Sequence, residues 1–72
     1  MLQKRKRKGR ATAADVEIGQ NLVALREALG ISQASLAKSI KVTFQQVQKY
    51  ETGRDRISAS TLCLIAEFLA AQ

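Results

Sequence analysis

Residues 33–53, QASLAKSIKVTFQQVQKYETG, decide how this chain is read. They form two short amphipathic segments with a tight turn between them. Ser32 is a good N-cap for a helix over residues 33–40, where Leu36 and Ile40 stand four apart and the small Ala37 lets another helix come close. Thr43 caps the next helix, and Gln46 three residues on completes a capping box. Only Lys41 and Val42 separate the two. In the second helix Val47 and Tyr50 share an inward face, which leaves Thr43, Phe44, Gln45, Gln48 and Lys49 pointing largely elsewhere. Thr52–Gly53 is a helix stop.

Upstream, a first helix is predicted from about Asp15 to Leu29. Ile18, Leu22, Leu25 and Leu29 recur as one apolar stripe and are expected to face the core. Asp15 or Thr12 can cap its start, and residues 11–14 are its lead-in. Gly19 lies inside it at a cost of up to about 1 kcal/mol against alanine, tolerated if that end frays. Gly30 supplies the left-handed C-terminal position. Downstream, Arg54–Ile57 is a short charged loop and Ser58 caps a helix of about residues 59–70. Its inward stripe is Leu62, Ile65, Ala66 and Leu69, with Leu64 and Phe68 as a second apolar pair on another face. The absence of proline and the Ala/Leu/Gln/Lys/Glu bias agree with an all-α fold of four helices.

The chain has 72 residues, enough for one small domain. At that length only about 60% of the unfolded surface is buried. One cysteine, Cys63, excludes an internal disulfide framework, reads as a small apolar helix residue, and suits a reducing cytoplasm. Without histidine the commonest metal ligand and acid–base group is missing, the acids show no paired spacing, and no glycine-rich phosphate loop occurs. Enzyme, metal and cofactor roles are therefore not expected. No apolar run approaches the roughly 18 residues of a membrane span.

The net charge of +6 is unevenly placed. Lys4, Arg5, Lys6, Arg7, Lys8 and Arg10 lie in a start without buried-face periodicity. Residues 1–14 are read as a flexible basic arm, solubilising or phosphate-following, and residues 15–72 as the folded domain. Within the domain, residues 38–56 carry Lys38, Lys41, Lys49, Arg54 and Arg56 against Glu51 and Asp55 alone. The first helix leans acidic. Such segregation points to an anionic partner on one side.

Residues 18–69 resemble the helix-turn-helix domain of the lambda-repressor/Cro, or XRE-type, family of bacterial and phage transcription regulators. The resemblance rests on ISQASLAKSIKVTFQQVQKYETG followed by RISASTLCLIAEFL. Gln33 opens the pair, apolar residues stand at Leu36, Ile40, Val42, Val47 and Tyr50, a small one at Ala37, and Glu51 and Gly53 close the unit. Two features depart from the family pattern. Lys41 holds a turn position that usually carries glycine, and the fifth helix that family members often use for dimerisation does not follow. That leaves Leu64 and Phe68 to be covered by a second chain, as in a homodimer, or the domain truncated.

The resemblance implies double-stranded DNA as partner, with the helix of about residues 44–51 in a major groove about 12 Å wide. By the same analogy Phe44, Gln45, Lys49 and Gln48 match base-reading positions. Gln33, Thr43, Gln46, Lys41, Arg54 and Arg56 are candidates for phosphate contacts. Arg26 and Glu51 match an inter-helix salt bridge with a structural role. A competing reading is a protein-interaction module, antitoxin- or adaptor-like, using the apolar surface of helix 4. RNA or single-strand binding by the arm alone lacks the interleaved aromatics that base stacking uses.

Overall fold

The computed structural model describes residues 12–72, so the basic run from Lys4 to Arg10 lies outside the described residues. Four helices follow one another: α1 Ala13–Ala28, α2 Gln33–Ile40, α3 Phe44–Thr52 and α4 Ala59–Ala70. Each begins at a hydroxyl cap. Thr12, Ser32, Thr43 and Ser58 accept from the backbone N–H of Asp15, Ser35, Gln46 and Thr61 respectively. Each cap satisfies a donor that the helix itself cannot, which stabilises by about 1 kcal/mol. The first helix starts two residues before the predicted Asp15, because Thr12 is the cap and Asp15 completes a reciprocal box with it.

The ends of α1, α2 and α3 are set by left-handed residues. Gly30 (φ 71°) closes α1, with the Gly30 and Ile31 N–H groups donating to the Glu27 and Arg26 carbonyls. Lys41 (φ 61°) closes α2 with the same pair of bonds, Lys41 N–H to Lys38 and Val42 N–H to Ala37. Lysine pays the Cβ clash that glycine escapes, roughly 1–2 kcal/mol.

The core consists of Leu22, Ile31, Leu36, Ala37, Ile40, Val47, Ile65 and Leu69, with Val42, Tyr50, Ile57 and Phe68 packed against it. Leu36 of α2 and Val47 of α3 are fully enclosed and form the joint of the helix pair. Burying an aliphatic side chain of this kind stabilises by about 1.5–3 kcal/mol.

The expected α1 stripe is corrected. Leu22 is buried, but Ile18, Leu25 and Leu29 are 39%, 55% and 45% exposed. Instead α1 turns Asp15, Gly19, Leu22 and Arg26 inward. Both sets have the same helical period and share Leu22, so periodicity alone cannot choose between them. Gly19 decides. A Cβ there would lie 2.5 Å from the carbonyl oxygens of both Tyr50 and Glu51, so this glycine is where α1 and α3 touch backbone to backbone. It is a contact residue, not a tolerated defect at a fraying end.

In α4, Ile65 and Leu69 are buried, whereas Leu62 is 40% exposed and Ala66 is also exposed. The predicted outer pair splits: Phe68 leans onto the core and Leu64 stays about half exposed. Cys63 is exposed. Among the described residues no helix is long and apolar enough to cross a membrane.

Candidate nucleic-acid interface

Two faces of α3 are held apart by its own periodicity. Val47 and Glu51, one turn apart, are buried; Phe44, Gln45, Gln48, Lys49 and Thr52 are exposed. Burying a carboxylate requires partners. Arg26 Nε donates to Glu51 Oε2 at 2.6 Å, Arg26 Nη2 to Oε1 at 3.3 Å, and Gln33 Nε2 to Oε1 at 2.7 Å. Arg26 Nη1 also donates to the Ile31 carbonyl at 2.8 Å. One carboxylate thus fastens the end of α1 and the first residue of α2 to α3. Gln33 was a candidate phosphate ligand; its amide is turned partly inward, with one hydrogen on Glu51 and one remaining.

On the outer side, Gln45, Gln48, Lys49 and Thr52 line an open groove with Val23, Gln33 and Arg54, and Glu51 contributes to its wall. Phe44 is 44% exposed at the start of α3 and is not part of that lining. The sequence did not mark Val23, or Thr52 beyond its place in the helix stop, as part of this face. Thr52 follows Gln48 and Lys49 by four and three residues, which is the signal that could have found it. Its hydroxyl donates to the Gln48 carbonyl at 3.0 Å.

The loop after α3 is fixed at several points. Gly53 (φ 79°) leaves the helix where a Cβ would lie 2.6 Å from Val16 Cα. Gln46 Nε2 donates to Asp55 Oδ2 at 3.0 Å, and the Asp55 N–H donates to the Lys49 carbonyl at 3.3 Å. The capping box expected at the start of α3 is therefore half formed. Thr43 Oγ1 accepts from Gln46 N–H, but the Gln46 side chain reaches the loop instead of the cap. Arg56 Nε donates to Asp15 Oδ1 at 3.2 Å and its Nη2 to Oδ2 at 3.4 Å. Hydrogen bonding from Arg56, and then from the Thr12 backbone, holds the Asp15 carboxyl below its ordinary value of 3.8.

The excess of positive charge counted over residues 38–56 survives the pairing of Glu51 and Arg56. Glu51 is neutralised internally by Arg26, and Arg56 is paired with Asp15. Lys38, Lys41, Lys49 and Arg54 are exposed and make no ion pair among the described residues. Thr43 and Lys41 sit together in the turn at the head of α3, both exposed. The result is a helix face of amides, a hydroxyl and a lysine, rimmed by unpaired cations. Such a face suits hydrogen bonding to base edges within a polyanionic groove.

The family model described as "Helix-turn-helix" matches residues 22–70. A protein of Rhodospirillum rubrum, described as an uncharacterized transcriptional regulator in the ATPase CF(0) region, is 54% identical over 56 residues, 78% of this chain and 52% of that protein. An uncharacterized HTH-type transcriptional regulator of Rickettsia prowazekii is 53% identical over 55 residues, 76% of this chain and 42% of its own. This chain spans about half, or less, of the length of the curated relatives it matches. Among solved structures, the restriction-modification controller protein C.AhdI of Aeromonas hydrophila superposes with a TM-score of 0.78 at 32% identity, covering 82% of this chain and 89% of that one.

Proposed function

This chain belongs to the helix-turn-helix family, and from that membership we propose that it is a DNA-binding transcriptional regulator that lays α3 in the major groove of a specific duplex. The observation that carries the reading is the division of α3. Val47 and Glu51 lock one face to α1 and α2, while Gln45, Gln48 and Lys49 project together from the other. A reading helix needs side chains held by a rigid back. Glutamine amides match adenine N6 and N7, lysine matches guanine O6 and N7, and Phe44 offers an apolar contact to a thymine methyl.

In this reading Thr43, Lys41 and Arg54 meet phosphates, and Gln33 adds its remaining amide hydrogen. Gln46 and Arg56, already bonded to Asp55 and Asp15, serve the loop rather than the phosphates. The exposed Leu62 and Leu64 of α4, next to Phe68, support a homodimer on a two-fold pair of half-sites about 34–36 Å apart. A reducing cytoplasm, at the nucleoid, is the compartment such a role implies. The relatives' descriptions favour this reading over an antitoxin- or adaptor-like interaction module.

Selection from random duplexes, read at two salt concentrations, tests the proposal. A defined site should emerge, with two-fold symmetry if the protein pairs. Replacing Gln45 and Lys49 by alanine should flatten the preference, whereas Arg54→Ala should weaken all duplexes alike and reduce the salt slope by about 1. If Gln45→Ala weakened every sequence equally, that would count against base reading.

A further inference from the structure

Arg54 is flanked by residues that are all tied down. Gly53 is pressed against Val16 of α1, Asp55 is bonded by its side chain to Gln46 and by its N–H to the Lys49 carbonyl, and Arg56 is paired with Asp15. Arg54 itself makes no ion pair among the described residues and lines the groove beside Gln48, Lys49 and Thr52. Such an arrangement restrains the backbone on both sides of a cation and leaves its head free.

We propose that the Gln46–Asp55 hydrogen bond is a latch that positions Arg54 for a DNA phosphate, so that Gln46 acts on affinity through Arg54 and not by touching DNA. The proposal rests on the reading of Arg54 as a phosphate ligand given above. A long side chain on a mobile loop loses rotamer and backbone freedom when it engages, and holding the loop beforehand removes part of that loss. The latch carries a second consequence. With its carboxylate held by Gln46 at 3.0 Å, Asp55 is directed toward α3, away from free competition with a phosphate for its neighbour's guanidinium. Gln46 belongs to the recognition helix by sequence, so the latch also couples the loop's position to that of α3. No sequence preference is expected from it, because a phosphate is the same at every base pair.

The test is a double-mutant cycle on the whole chain, using Gln46→Met, Arg54→Ala and the pair. Methionine is close to glutamine in volume and helix propensity but donates nothing to Asp55. Binding is read by anisotropy on a fluorescein-labelled duplex of mixed sequence about two helical turns long. Arg54→Ala is expected to weaken binding on the order of tenfold and Gln46→Met about threefold, with the double variant no weaker than Arg54→Ala alone. The Asp55 amide should also exchange its hydrogen faster in Gln46→Met, since its bond to Lys49 loses its support. If Arg54→Ala binds as the parent does, the phosphate reading beneath the proposal fails. If Arg54→Ala weakens binding but Gln46→Met does not, or Asp55 exchange is unchanged, the latch alone is overturned. An equal Gln46→Met effect with and without Arg54 would make Gln46 a direct ligand, and would overturn it as well.

Discussion

Thr12-Ala-Ala-Asp15 and Thr43-Phe-Gln-Gln46 are the same signal at the starts of α1 and α3, and they are used differently. At α1 the box closes: Asp15 Oδ2 accepts from both the Thr12 N–H and hydroxyl, and the carboxylate still has capacity to receive Arg56. At α3 the box opens, and Gln46 gives its amide to Asp55. A carboxylate has several lone pairs and serves the cap and an arginine at once, whereas the Gln46 amide is turned so that its Nε2 meets Asp55. In both cases the third residue of the helix holds the loop after α3, at adjacent positions 55 and 56. Local capping chemistry has been drawn into tertiary clamping, and Arg54 stands immediately before the clamped pair.

The largest expected effect breaks the frame on which both clamps depend. Glu51→Ala strands Arg26 in a site where it is 11% exposed, and loss of one partner of a buried pair costs about 3–5 kcal/mol. Urea unfolding should show it, and a change below about 1 kcal/mol would mean that the Glu51 network is not what fastens α1 and α2 to α3. Next comes Gly19→Ala. By helix propensity alone it should stabilise by up to about 1 kcal/mol. Contact with the Tyr50 and Glu51 carbonyls predicts the opposite sign, with overpacking of about 1–3 kcal/mol lowering the melting temperature.

The two boxes are then compared directly. Thr12→Ala and Thr43→Ala each lose a cap of about 1 kcal/mol. Thr12→Ala should lose more, because it also removes the hydroxyl's hydrogen bond to the carboxylate that holds Arg56. Equal losses would show that Asp15 is positioned without the Thr12 hydroxyl. Acid titration sharpens the same point. The folded state depresses the Asp15 carboxyl, so its contribution is complete above the ordinary value of 3.8 and is lost as pH falls through the lower folded value. Asp15→Asn should be less stable than the parent at neutral pH, and the gap should narrow in that acid window. The smallest effect is Lys41→Gly, which relieves a left-handed lysine and should raise stability by up to about 1 kcal/mol after the glycine's greater unfolded-state entropy is counted. Weaker binding in the same variant would tie Lys41 to phosphate, and unchanged binding would leave it a turn residue only.

The bounds of α2, α3 and α4 were readable in the chain because hydroxyl caps and glycine stops are local chemistry: Ser32, Thr43, Ser58 and Gly53 act on residues within four positions of themselves. The outward residues of α3 were readable for a similar reason, since burying Val47 leaves Gln45, Gln48 and Lys49 no other side. What failed was the face of α1. Ile18, Leu25 and Leu29 satisfy the helical period as well as the true inward set does, and hydrophobicity favours the wrong one. The inward set holds an aspartate, a glycine and an arginine, each inward for the sake of one distant partner: Arg56, the α3 carbonyls, and Glu51.

By itself, then, the sequence determined the helices, the joint between α2 and α3, and which side chains of α3 face out, because these follow from short-range hydrogen bonding and a fixed period. Only the tertiary structure decided how α1 is turned, that Gln33 and Gln46 are bonded to Glu51 and Asp55, and that Arg56 is paired with Asp15. Those contacts join residues 9 to 41 positions apart, and a polar side chain's partner over such a span is chosen by packing geometry, which no local pattern encodes.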